Sequence, residues 1–276
     1  MKKGLVDFDG KMSRERCIAY RKRILDVSQK VAALHAAPAF SCVEMTDVIY
    51  HGLMTRASNG RDYVDVFLMS KGHGCMAQYA LLENMGILSS EELDRYCTPK
   101  GILGAHPDRG NPGIEASTGS LGHGIGLAVG MACAEKLKSS EVNIHALLSD
   151  GELQEGSSWE GAMMASNLDL NNLLVYVDLN DFGGMHRMSE HHKAFYPLDE
   201  KFRSFGWECE TVNGHDVQAI YQTVQNRKGK TPFVLLCNTV KGRGVSYMEN
   251  VPIWHYRSPN REEYFKALLE LKEVSA

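Results

Sequence analysis

No stretch of this sequence approaches the roughly 18 consecutive apolar residues that a membrane helix needs, and no apolar run follows Lys2 and Lys3 as it would in a secretory signal. A Cys-x-x-Cys pair is missing too. The seven cysteines are odd in number and scattered, at 17, 42, 75, 97, 133, 209 and 237. They are expected to be reduced, small apolar residues of a cytoplasmic protein rather than a disulfide framework. Blocks of basic charge are also lacking: 30 Lys and Arg stand against 34 Asp and Glu, for a net charge of −4, so no nucleic-acid surface is expected. Internal repeats, low-complexity segments and a second-domain linker are absent. What remains is a chain of 276 residues, long enough for one large α/β domain with a full core, expected to span 1–276. Glycine, at 26 residues, exceeds the average of about 7% and clusters in a few loops.

The central stretch is Leu147-Leu148-Ser149-Asp150-Gly151-Glu152-Leu153-Gln154-Glu155-Gly156. The mostly apolar residues 142–148 predict a buried strand. The strand stops at Asp150-Gly151, a turn pair that leaves a carboxylate just past its carboxyl end. Ser157 followed by Glu160 has capping-box spacing and predicts a helix start. Thirty residues after Asp150, the apolar run 173–179 ends at Asn180. Parallel strands would place these two ends side by side, at the edge where open α/β sheets bind ligands. A carboxylate, an amide oxygen and a backbone carbonyl suit Mg²⁺, which completes its octahedron with phosphate oxygens and water.

Elsewhere the pattern alternates between helix and strand. Apolar spacing predicts helices over 14–33, 43–54 (after a break at Pro38), 76–84, 125–136 and 159–167, and one ending at Gln225. Strands are expected over 62–69, 206–212 and 232–240. Ser89 and Glu92 form a second capping-box pair, and Asp216 follows a turn as an N-cap. The right-handed crossover rule makes 142–179 a parallel βαβ unit. The expected fold is therefore a doubly wound, mainly parallel sheet with helices on both faces. Residues 101–124 have almost no periodic pattern, and loops of that length are usually functional or disordered. Glycines flanking His73 let backbone amides approach an anion at a helix start.

Five segments, in order, resemble the transketolase family, and in particular the amino-terminal subunit of its split, two-chain form. They are Ser70-Lys71-Gly72-His73-Gly74, His106-Pro107-Asp108, Ser117-Thr118-Gly119-Ser120-Leu121-Gly122, residues 150–156, and Lys241-Gly242-Arg243-Gly244 continuing to Trp254-His255. The resemblance implies thiamine diphosphate as cofactor and a thiamine-diphosphate-binding fold. It implies that Asp150, Asn180 and the Phe182 carbonyl hold Mg²⁺, with Ca²⁺ or Mn²⁺ able to replace it, and that the type of side chain at 182 matters little. His73, Ser120, Leu121, Gly122, Gly151, Glu152, Asn180 and His255 would contact the cofactor. His35, His106 and His255 would act on substrate, suited to proton transfer by an imidazole pKa near working pH. Glu155 matches a glutamate thought to link two active sites, and His123 stands where the family often has glutamine.

The family's activating glutamate belongs to a pyrimidine-binding domain, which is not expected within these 276 residues. A companion chain is therefore expected to carry it, in a heterotetramer of two chains of each kind. The activity implied is transfer of a two-carbon ketol unit from a ketose, such as a ketose phosphate, to an aldehyde. Three departures stand out: Ser149 replaces a glycine, the residues after Asn180 differ, and Ala36, Ala37 and Phe40 surround His35 and are expected to fill open space there. They point to an altered donor or acceptor in specialised metabolism. A non-catalytic partner and the α chain of a 2-oxo acid decarboxylase are the competing readings.

Overall fold

A computed structural model describes residues 8–58 and 62–273; the expectation drawn from the lysines at the start of the chain falls outside them. Short apolar runs build the sheet: β1 (Val66–Met69), β2 (Ile144–Ser149), β3 (Leu173–Leu179), β6 (Glu208–Asn213) and β7 (Phe233–Asn238). Their order is β1-β2-β3-β7-β6 and every pairing is parallel. The inner strands are buried on both faces, as parallel sheets with helices on each side require, whereas edge strand β6 is only partly covered. A two-stranded antiparallel hairpin, β4 (Phe182–Gly183) with β5 (His186–Arg187), follows β3.

The period-2 alternation of the strands sends successive side chains into two cores. Leu147, Leu174, Tyr176, Leu235 and Cys237 face α1 (Gly10–Ser28), α2 (Ala36–Val48), α3 (Cys75–Asn84), α4 (Ser90–Asp94), α9 (Val217–Gln225) and α10 (Arg261–Glu273). Ala146, Leu148, Val175, Val177 and Leu236 face α5 (Gly124–Leu137), α6 (Gly156–Asn167) and α8 (Leu198–Ser204). The short α7 (Met188–His191) continues from the hairpin. The doubly wound, mainly parallel architecture is thus present. Among the described residues no helix is long and apolar enough to cross a membrane.

Several expected boundaries move; the helix expected over 14–33, for instance, runs Gly10–Ser28, and the strand expected over 62–69 is Val66–Met69. Pro38 does not break a helix; it is the third residue of α2, where a missing N–H has no helical acceptor to lose. Ala36, Ala37 and Phe40 consequently turn into the core, fully buried, and none of them lines the cavity beside His35. The capping box at Ser157 is absent. Helix α6 starts at Gly156 with Glu155 at its N-cap and no side-chain cap, so Ser157 lies inside the first turn. The box at Ser89 and Glu92 is complete, and Asp216 accepts from the amides of Gln218 and Ala219.

A buried polar triad fastens α1 and α2 to the loop after β6. The Arg21 guanidinium meets Glu44 at 2.6 Å, and His215 Nδ1 lies 3.0 Å from the same carboxylate. His215 Nε2 accepts from the Val240 amide, so its proton sits on Nδ1 and points at Glu44. Burial pushes the Glu44 carboxyl up, but Arg21 and His215 outweigh it and hold it at about 2. The stability this carboxylate contributes is complete above its ordinary value of 4.5 and is lost as pH falls toward 2. Glu44→Gln is therefore expected to cost ~3–5 kcal/mol at neutral pH by leaving Arg21 unpaired, and to flatten the decline of Tm between pH 4.5 and 2. A variant whose Tm falls as steeply as the parent's across that window would contradict the assignment.

Candidate functional site

Because all five strands run the same way, their carboxyl ends open on one edge, and the chain leaves that edge through polar residues. Ser70 and Lys71 follow β1, Asp150 follows β2, Asn180 follows β3, and Thr239 to Lys241 follow β7. A cavity of about 230 Å³ lies there, lined by His35, Pro38, His73, His106, Gly119, Leu121, Ser149, Gly151, Asn180, Phe182, Gly184, Lys241 and His255.

Beneath it is a fully buried ion pair between Lys71 and Asp178. Asp178 also accepts from Ser41 Oγ, Thr239 Oγ1 and Asn180 Nδ2, the last at 3.2 Å, while Lys71 donates to the Pro38 carbonyl at 3.0 Å. Burial disfavours the Lys71 ammonium, but Asp178 keeps its pKa above the ordinary value. Neither residue was assigned a role from sequence. The available signal was a charged residue at the end of an apolar strand. By engaging the amide nitrogen, Asp178 turns Asn180 Oδ1 the other way, where it accepts from the Phe182 amide at 3.1 Å.

Asp150 is fully buried, and backbone amides bond it: Gly151 donates to Oδ1 at 2.8 Å and Asp181 to Oδ2 at 2.6 Å. With Lys71 committed to Asp178, burial and the Asp178 charge lift the Asp150 carboxyl to about 7. The Phe182 carbonyl is close by, 3.3 Å from where a side chain on Gly151 would begin. Asp150 and Asn180 thus follow neighbouring parallel strands, with the Phe182 carbonyl next to them. The Phe182 ring is not incidental: it is 4% exposed, with Arg187 4.8 Å and Lys241 4.9 Å from its centroid. Among the described residues no cluster of three or more His, Cys, Asp and Glu is placed to hold a metal; the converging set contains one carboxylate, one amide and one backbone carbonyl.

Four histidines converge on the other wall. The His35 ring lies 5.8 Å from His73, 6.0 Å from His106 and 5.3 Å from His255, and Tyr256 packs on its outer side at 4.5 Å. His35 sits at the N-cap of α2, His73 in the turn before α3, and His255 in the 3-10 turn Pro252–Tyr256. His35 Nδ1 is buried without a partner. Burial, then neighbouring His106 and the two lysines, lower His35 to about 4. Burial and Lys241 lower His255 to about 3, and burial with Lys71 lowers His73 well below its usual range. A pKa near working pH, expected from sequence for His35 and His255, is therefore not found: desolvation among cations keeps these rings and His73 neutral, each with one donor and one acceptor. Lys241, deep in the same wall, is itself lowered to about 8 by burial and Lys71.

The loop 101–123 carries no helix or named strand, yet it is tied down. Tyr79 donates to the His106 carbonyl at 3.0 Å, and Thr118 Oγ1 donates to the Met69 carbonyl at 2.6 Å. Gly119, at φ +134°, passes so close that a Cβ there would sit 2.8 Å from His106, and one on Gly72 would sit 2.7 Å from Gly119 Cα. Glu152 does not line the cavity. Its carboxylate accepts from Ser70 Oγ and from the Gly122 amide, the latter at 3.0 Å, clasping the loop to β1. The Gly122 amide, expected to face a diphosphate, is thereby committed to Glu152. Leu121 and Gly151 line the cavity, whereas Ser120 is exposed at the surface outside it. Glu155 is also exposed, and His123 bonds the Leu121 carbonyl through Nδ1 at 3.1 Å.

A glycine-cradled, histidine-walled cavity over an Asp–Asn pair at the carboxyl edge of a parallel sheet defines a thiamine-diphosphate-binding α/β domain. "Transketolase, thiamine diphosphate binding domain" matches residues 13–263. The chain belongs to the transketolase family. It is 34% identical over 257 residues to an apulose-4-phosphate transketolase subunit of Phocaeicola vulgatus, covering 92% of this chain and 91% of that one. It is 33% identical over 262 residues to a 6-deoxy-6-sulfo-D-fructose transketolase subunit of a Clostridium species, covering 93% and 94%. Against human transketolase, 31% identity over 243 residues covers 86% of this chain and 38% of the human one. The fold of Campylobacter jejuni transketolase superposes with a TM-score of 0.88 at 24% identity, over 96% of this chain and 43% of that chain.

The ion pair under the cavity makes a direct expectation. Lys71→Met is expected to destabilise the chain by ~3–5 kcal/mol, since Asp178 is left charged and buried. Adding Asp178→Asn is expected to recover part of that loss, so the double variant is more stable than the sum of the singles predicts. Additive losses in urea unfolding would show that the two side chains are not coupled.

Proposed function

We propose that this chain, as one thiamine-diphosphate-binding domain over 1–276, is the diphosphate-binding subunit of a two-chain transketolase, paired with a companion that carries the pyrimidine-binding domain. The observation that carries the reading is the meeting of Asn180, Phe182 and four histidines on one cavity, with Asp150 buried beside it against the Gly151 and Asp181 amides. Relatives named as transketolase subunits match over 91% and 94% of their own length, which supports a partner chain.

The donor set fits a hard divalent ion, Mg²⁺ with Ca²⁺ or Mn²⁺ in its place. A buried carboxylate bonded by amides alone, an amide oxygen oriented by Asp178 and a main-chain carbonyl supply few but well-held oxygens. The diphosphate would lie against His73, Leu121 and Gly151. The chemistry that thiamine diphosphate supplies when bound is transfer of a two-carbon ketol unit from a ketose to an aldehyde. The protein's share is positioning, proton placement and exclusion of water. His35, His106 and His255 would donate hydrogen bonds to the substrate oxygen on which negative charge develops. Unpaired His35 Nδ1, buried at the cavity wall, is the ring atom most in need of such a partner. Glu155, exposed at the start of α6, would link this site to a second one across an interface between chains.

The two relatives, by their names, act on ketoses with an anionic end, and we assign this chain to a comparable specialised carbohydrate conversion in the cytoplasm. The seven unpaired cysteines suit a reducing compartment. Family membership sets aside the 2-oxo acid decarboxylase reading. A heterotetramer of two such chains and two companions would place both active sites between chains.

Asp150→Ala is expected to abolish Mg²⁺-dependent binding of thiamine diphosphate by calorimetry while circular dichroism stays native; undiminished affinity would remove the clamp. Mixed with its companion, the chain is expected to gain ketol transfer together with amide-exchange protection of residues 101–123 and 241–254. Full activity from the isolated chain would overturn the two-chain reading.

A further inference from the structure

We propose that Lys241 is a positioning residue that holds His255 as its Nε2–H tautomer and so aims one defined N–H into the cavity. The use of that N–H toward a substrate oxygen rests on the transketolase reading above; the tautomer itself does not.

A buried lysine ordinarily needs a counter-charge. Lys71 has Asp178, but Lys241, only 2% exposed, is held otherwise. Its ammonium donates to the Gly184 carbonyl at 2.8 Å, lies 2.9 Å from His255 Nδ1, and faces the Phe182 ring at 4.9 Å. All three partners offer electron density and none is a carboxylate. An ammonium has donors only, so at 2.9 Å the ring nitrogen opposite must present its lone pair. His255 is neutral, and its single proton is therefore on Nε2. The Lys241 contact occupies Nδ1 and leaves Nε2 to the cavity that His255 lines. This is the reverse of His215, whose Nε2 accepts from a backbone amide and whose proton sits on Nδ1.

Both ends of the contact are fixed, which distinguishes it from a chance approach of two side chains. The Lys241 carbonyl accepts from the Asn250 amide at 2.9 Å, and the adjacent Gly242 amide donates to the Ala37 carbonyl at 3.1 Å. Gly242, at φ +81°, lies where a Cβ would strike the Met248 carbonyl at 2.6 Å, so this backbone path is closed to other residues. On the other side, buried Trp254 anchors the turn that bears His255, with Arg257 4.1 Å over its ring. The same ammonium thus joins three separate pieces of chain: the end of β7, the hairpin after β3 and the 3-10 turn. From sequence, Lys241 looked like one member of a glycine-rich word with no stated task.

The test is nitrogen NMR of the full chain labelled with ¹⁵N-histidine, with the His255 signals assigned by their loss in His255→Gln. The parent is expected to show an unprotonated Nδ1 and a protonated Nε2. Lys241→Met, which keeps the apolar stem, is expected to lose that pattern and populate Nδ1–H. Lys241→Arg, which keeps a charged donor, is expected to retain it. With the companion chain present, turnover of the Met variant should fall about 10²-fold and that of the Arg variant distinctly less. A parent chain with Nδ1–H overturns the proposal without any variant, so misfolding of a variant cannot shield it. It is equally overturned if folded Lys241→Met keeps the parent pattern, or if folded Lys241→Arg loses it as Met does. Failure to find ketol transfer would count against the proposed function but leave these nitrogen signals readable.

Discussion

The buried pair of Lys71 and Asp178 is the interaction on which the rest of the site depends. Two charges removed from water are tolerable only when each is met by the other and by further polar atoms. Here the further atoms come from several elements. Ser41 and the Pro38 carbonyl belong to α2, Asn180 follows β3, and Thr239 follows β7. Satisfying one carboxylate therefore fixes the relative position of helix α2 and the ends of β1, β3 and β7. It also decides which way the Asn180 amide faces. The neighbouring Asp150 is left as a buried carboxylate with amide donors alone, which makes the place receptive to a cation.

Burial, reinforced by this concentration of positive charge, explains the state of the histidines. Loss of water lowers His35, His73 and His255 most, and the charges of Lys71 and Lys241 add to it, so the rings are uncharged. A neutral imidazole recognises a partner through directed hydrogen bonds rather than net charge, so ring orientation and tautomer matter more than pKa. Orientation is supplied by rigid attachments: a helix start for His35, a turn between glycines for His73, and a 3-10 turn for His255.

Glu152 performs a comparable service for the long loop. Its carboxylate joins Ser70 at the end of β1 to the Gly122 amide, and Thr118 bonds the Met69 carbonyl. A stretch of 23 residues without regular structure is thereby held against the strand ends, with Gly119 pressed on His106. Loop order here comes from a few side-chain anchors at one end, not from a core of its own.

The sequence by itself determined the sheet and its edge. Apolar runs such as 173–179 are long enough to be read as strands without knowledge of their neighbours, and residue types at their ends follow directly. The same reading located Asp150, Asn180 and His73, because a glycine-flanked histidine and polar residues at strand ends are local signals, whereas His255 was reached only through the family resemblance. Tertiary structure decided the partnerships. Nothing local distinguishes Glu152, which clasps a loop, from a residue facing a cofactor, since the donors that make the clasp lie 30 and 82 residues away. Pro38 looked like a break because the pattern could not show that it falls within a first turn, where an amide is dispensable. Likewise, Lys71 and Asp178 are 107 residues apart, and only the packing of separate elements makes them a pair. Protonation was beyond the sequence for the same reason: burial and neighbouring charge, not residue type, set the histidines' pKa values.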